Sequence, residues 1–277
     1  MANQKMTKNK PAFIDFAVVE DDHYYWMASW YSSVLGYKRL FTFKANIEEA
    51  KRTCSLLNID VNKNFIPFKN GRRNDYKLSK FACFLLALHA DGRKPMVKRA
   101  RAYFLEKLEG MNALLKDEGF LHRLIARDEV KRLNVKLNKT ARRAHVKDFR
   151  FFANAGYLGL YNNTMPELKI LRNVTLEKNL YDYMSMTELA ANMFRISLTD
   201  EKLKSLRNPS QERAALEHQR IASQIRNIIN SNLGRNPESL PNAQDLAVIE
   251  KRLKETKQIM NKPVKELPIS EGQDTEM

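Results

Sequence analysis

The chain has 277 residues, of which 43% are apolar, and its 48 Lys and Arg against 32 Asp and Glu give a net charge of +16. That apolar share can build a sizeable core, so the chain is expected to fold, and the charge excess excludes the balanced surface of an ordinary cytosolic enzyme and points to polyanionic partners. The excess is front-loaded: residues 1–110 hold 20 basic and 11 acidic side chains, 111–200 hold 15 and 10, and 201–277 hold 13 and 11.

Lys5, Lys8 and Lys10 precede the apolar run AFIDFAVV, but Asp15 interrupts it and no cleavage site follows, so a signal peptide is not expected. Residues 12–19 and 24–29 are aromatic and β-branched runs around the acidic EDDH and predict a hairpin. SWYSSVLGY reads as a short helix ending at Gly36, followed by a second helix that Thr42 could cap, with Ile47, Cys54 and Leu57 inward. NFIPF and DYKL predict two strands around the Asn-Gly turn KNGRRN. Ser79 opens an apolar helix, KFACFLLALHA, which DGRKP ends, and another helix runs from Met96 to Leu108.

This order predicts an α+β domain over residues 1–110, a mainly α-helical domain over 111–235, and a C-terminal helix with a disordered tail over 236–277. The helical part starts with Leu114, Leu121, Leu124 and Ile125 and continues through KRLNVKLNKTARRAHVKDF. Ser185-x-x-Glu188 is a capping box, ahead of an expected apolar face of Leu189, Ala190, Met193 and Phe194. A last long helix ends at Gly234, and its segment 212–233 is a candidate homodimer surface. The longest apolar run, FACFLLAL, is far shorter than the roughly 20 residues a bilayer requires. No lipidation motif is present and Cys54 and Cys83 stand alone, so a reduced, cytoplasmic protein without a membrane partner is expected.

Three basic clusters carry the functional reading. Arg132, Lys136, Lys139, Arg143, Lys147 and Arg150 recur at three- or four-residue spacing and would form a stripe along one helix face. Arg93, Lys94, Lys98, Arg99 and Arg101 form a second cluster, and Arg72 and Arg73 a third at the hairpin tip. Like charges on one face cost stability unless a phosphate backbone neutralises them, and arginine can fork onto a phosphate or a guanine edge. The plainer alternatives are a face paired with neighbouring carboxylates and a solubilising turn; three clusters together favour DNA, duplex or single-stranded.

Catalytic patterns are weak. The five histidines form no metal-binding motif, and Glu49-Ala50-Lys51 has a nuclease-like spacing but sits in a helical pattern instead of a strand. Neither cofactor, metal nor catalytic residue is expected, and a metal-dependent nuclease ranks last. In DFRFFANAGYLGLY, the residues 148–161, Gly156 and Gly159 are flanked by large rings with no cradle of donors, so they read as close-packing or turn positions that seat Tyr157, Leu160 and Tyr161.

DFRFFANAGYLGLY and MSMTELAANMFRISLTDEKLK resemble the characteristic segments of the DNA-damage-inducible protein D (DinD) family, whose members carry a similar GYxGLY and STELAANLFR. WMASWYSSVLGYKRLFTFKANIEEAKRTC and DYKLSKFACFLLA resemble the BRO-N domain of that family and of phage antirepressors. The resemblance covers about residues 20–235, with departures at KNGRRN and RKPMVKRARAYF. It implies a BRO-N-like α+β DNA-binding domain, a helical second half, and a non-enzymatic role in the bacterial or phage-borne SOS response, on DNA or a recombinase filament. The alternative is an antirepressor-like factor that acts on a repressor or recombinase protein.

Overall fold

A computed structural model describes residues 13–71, 73–106 and 119–262. The chain divides into two compact units, Met1–Asp117 with Ile249–Met277, and Glu118–Val248. Residues 236–248 therefore belong with the helical unit, while the last helix contributes to the first unit from Ile249 onward.

The first unit is built on an antiparallel sheet of β1 (Val18–Glu20), β2 (His23–Met27), β3 (Phe65–Asn70) and β4 (Arg73–Ser79), in the order β1-β2-β4-β3. The acidic turn forms as expected: Asp21 and Asp22 both have positive φ, the two-residue connection whose twist suits a hairpin. The run before it is not one strand, because Phe13–Phe16 forms a 3₁₀ turn. That turn drives the Phe13 ring onto Trp26, 4.4 Å between centroids, and lets Trp26 Nε1 donate to the Phe13 carbonyl. The second hairpin pairs Asn70 with Arg73 around Gly71, and Pro67 is tolerated because β3 is an edge strand.

Around the sheet lie α1 (Ala28–Val34), α2 (Leu40–Leu56), α3 (Val61–Asn64), α4 (Lys80–His89) and α5 (Pro95–Glu106). The apolar run of α4 is buried on every side from Phe81 to Ala87, as a helix without a polar face must be. Ser79 caps it by accepting from the Ala82 N–H. Thr42, expected as a cap, lies inside α2; Arg39 is the N-cap and the Thr42 hydroxyl donates back to its carbonyl.

The helical unit contains α6 (Phe120–Arg143), α7 (Phe149–Tyr161), α8 (Met165–Leu171), α9 (Met186–Ser205) and α10 (Gln211–Leu233); α11 (Leu246–Met260) crosses into the first unit at Ile249. Here α6 packs along α9 and α7 along α10. Gly156 and Gly159 set the second contact. A Cβ on Gly159 would lie 2.3 Å from the Gln219 carbonyl oxygen and 2.6 Å from the Ala222 Cβ; one on Gly156 would lie 1.9 Å from Arg195 Nη1. They let two helix backbones and a buried guanidinium approach, and both lie within α7 instead of at a turn.

The capping box of α9 forms, with Ser185 and Glu188 bonded reciprocally. Its inward face differs from the expected one: Leu189 is buried and Met193 partly so, but Ala190 and Phe194 are exposed, and Glu188, Asn192, Arg195 and Thr199 turn inward instead.

Candidate nucleic-acid interface

The predicted stripe is shorter than its spacing suggests. Residue His145 follows α6 with φ 61°, and the Val146 N–H bonds to the Ala141 carbonyl while the His145 N–H bonds to that of Arg142. This is a Schellman closure with histidine where glycine is usual, sealed by the buried Val146. Lys147 therefore lies in a linker and Arg150 in the first turn of α7, where Asp148 caps by accepting from the Arg150 and Phe151 N–H groups.

Within α6, Arg132 is bridged to Asp128 at 3.3 Å and also to Glu129, and Lys136 to Asp200 at 3.1 Å. Asp200 is a buried hub that also accepts from Thr140 and Lys204, at 2.5 and 2.7 Å. Lys139 and Arg143 remain exposed and make no ion pair or hydrogen bond among the described residues.

The second cluster divides similarly. Arg101 faces inward and donates to the carbonyls of Ala87, Leu88 and Ala90 at 2.9–3.0 Å, completing the C-terminus of α4. Arg93 clasps Asp91 at 2.9 and 3.0 Å, and those bonds hold the Asp91 carboxyl down to a pKa of about 2. Lys94 donates to the Gly36 carbonyl and lies over the Tyr37 ring. Only Lys98 and Arg99 of this cluster stay exposed without such a partner among the described residues.

Arg72 lies outside the described residues. Arg73 joins a constellation that the three clusters do not include: Lys38, Arg39 and Lys44 line the same groove of about 850 Å³, with Phe41 and Tyr76. The positive φ of Gly36 ends α1 and delivers Lys38 and Arg39 to the start of α2, so these three cations share one edge. All four cations are exposed and unpaired among the described residues. The groove's acid, Asp75, is buried and already accepts from the Ser29 N–H and hydroxyl and from the Tyr76 N–H.

A second unexpected arrangement is a polar chain inside the helical unit. Arg195, 2% exposed, donates to Asn192 Oδ1 and His218 Nε2, both at 2.9 Å, beneath the Tyr157 ring. His218 Nδ1 faces the Phe152 carbonyl, which fixes the neutral tautomer, and burial followed by the Arg195 charge pushes its pKa well below the usual value. Asn192 continues to the Tyr161 hydroxyl, and Glu188 pairs with the buried Arg172 at 2.7 Å. Burial raises the Glu188 pKa although Arg172 opposes it.

Among the described residues no three His, Cys, Asp or Glu side chains come together as a metal site, and no helix is long and apolar enough to cross a membrane. The His89 side chain is buried against Thr53 and Glu49, while Lys51 bonds to Glu48 and the Tyr76 hydroxyl. The fold thus defines a basic protein of two units, an α+β unit with a cationic groove and a helical unit keyed by buried polar side chains. A family model described as the DinD C-terminal domain matches residues 117–256. DNA damage-inducible protein D of Escherichia coli (strain K12) is 32% identical over 239 residues, which cover 79% of this chain and 86% of that protein. The chain belongs to the DinD family.

Proposed function

We propose that the protein is a non-enzymatic, cytoplasmic DNA-binding member of a DNA-damage response. The name of its Escherichia coli relative supports the response, and the disposition of charge supports DNA. The single observation that carries the reading is a sorting of cations: Arg101 bonds inward to the α4 carbonyls and the exposed Arg132 and Lys136 are paired with carboxylates, while Lys98, Arg99, Lys139, Arg143 and the groove cations are exposed with no such partner among the described residues. Surplus cations held at the surface bind phosphates by releasing condensed counterions. Lys139→Glu with Arg143→Glu tests the contribution of α6 in a fluorescence-anisotropy titration with DNA. A loss of tenfold or more at about 100 mM salt is expected, whereas unchanged affinity would remove α6 from the interface.

A second reading, contact with a recombinase or repressor protein, rests on α9. Met186, Ala190, Phe194 and Leu198 recur every fourth residue and are all exposed, with Phe194 at 52%. An apolar strip of this kind fits a protein surface and not a phosphate backbone.

A further inference from the structure

The groove between the start of α2 and the β3–β4 hairpin has two properties that a duplex does not use together. It offers four exposed cations, Lys38, Arg39, Lys44 and Arg73, spaced around one concavity. Phe41, which also lines it, is 82% exposed. Leaving a phenylalanine so open beside unpaired cations costs solvation and gains nothing for the α+β core, because Phe43, two residues on, fills the interior instead. An open ring beside cations matches the requirements of an unpaired strand, whose bases stack on aromatic faces while the backbone follows positive side chains. In a duplex the base faces are already stacked on one another and are closed to Phe41.

We propose that this groove is a single-strand site, with phosphates held by Lys38, Arg39, Lys44 and Arg73 and a base stacked on Phe41. The inference rests on the DNA-binding reading and adds to it the strand type and the residues. Asp75 does not repel the strand strongly, because its carboxylate is turned inward onto Ser29 and the Tyr76 N–H. Tyr76, which also lines the groove, is held by Lys51, whose Nζ lies 4.1 Å from the ring centroid and 3.0 Å from the hydroxyl.

The test is an anisotropy titration of the full chain with labelled oligothymidylate of about 20 nucleotides, which has no secondary structure, and with a duplex of the same length. Phe41→Ala is expected to weaken oligothymidylate binding about 5- to 150-fold and leave duplex binding within twofold, matching roughly 1–3 kcal/mol for one stacked base. Arg39→Glu with Lys44→Glu should weaken oligothymidylate binding further and flatten its salt dependence. Since Phe41 is exposed, its variant should melt with the wild type. If the wild type binds DNA but Phe41→Ala is within twofold on both ligands, or weakens both equally, the groove assignment is wrong while the DNA reading stands. If the wild type binds neither ligand at low salt, the DNA reading itself fails.

Discussion

Replacing Gly159 with alanine separates close packing from local propensity, because the two effects have opposite signs. In the interior of a helix, alanine is favoured over glycine by about 1 kcal/mol, so without a steric conflict the variant would be more stable. The conflict is large. The new Cβ would sit 2.3 Å from the Gln219 carbonyl oxygen and 2.6 Å from the Ala222 Cβ, and neither atom can rotate away. Restoring ordinary contact requires α7 and α10 to part by about 1 Å along their main contact, which places the cost near the top of the roughly 1–3 kcal/mol range for overpacking. Set against the propensity gain, a net loss of about 2 kcal/mol is expected, or roughly 4–8 °C in Tm for a protein of this size. Differential scanning calorimetry measures it, with Ala153→Gly on the exposed face of α7 as a control that should cost no more than about 1 kcal/mol. An unchanged or raised Tm for Gly159→Ala would refute the claim that this glycine exists to let the two helices touch.

Two further outcomes follow from side chains whose positive charge or ring is used internally. Arg101→Met keeps the aliphatic stem but removes the donors to Ala87, Leu88 and Ala90, so thermal unfolding should show a loss of about 2–3 kcal/mol while DNA affinity stays within twofold. His218 is held neutral in the fold and has its ordinary pKa when unfolded, so the unfolded chain takes up a proton that the native chain refuses. Its contribution is therefore complete above pH 6.5 and is lost as pH falls below that value, at ~1.4 kcal/mol per unit. Chemical denaturation between about pH 7.5 and 5.5 should show this decline in the wild type and a shallower one in His218→Gln.

Much of the fold could be read from local chemistry. Gly36, Ser79, the Ser185 box and Gly234 each mark a helix end in the sequence and in the structure, because caps depend on residues close by. His145 was illegible: its left-handed conformation is imposed by the seating of Val146, so a stripe that periodicity carries through to Arg150 is broken in space. The inward face of α9 was misread for a related reason. Arg195 and Asn192 look like surface residues until His218, 23 positions from Arg195, and the space above Gly156 are brought to them. Charge clusters were visible, yet spacing could not tell a cation that bonds α4 carbonyls from one left at the surface. The groove was missed because Phe41 and Lys44 become neighbours of Arg73 only when α2 lies beside the second hairpin.

The central claim is that unpaired cations gathered at the surface meet a polyanion, and the salt dependence of binding tests it most directly. Titrating labelled oligothymidylate between about 50 and 400 mM salt should give a linear plot of log affinity against log salt concentration. Four groove cations predict a slope of about −3 or steeper, at roughly 0.7 per phosphate neutralised on a single strand. A slope shallower than about −1, or no binding at the lowest salt, would contradict it.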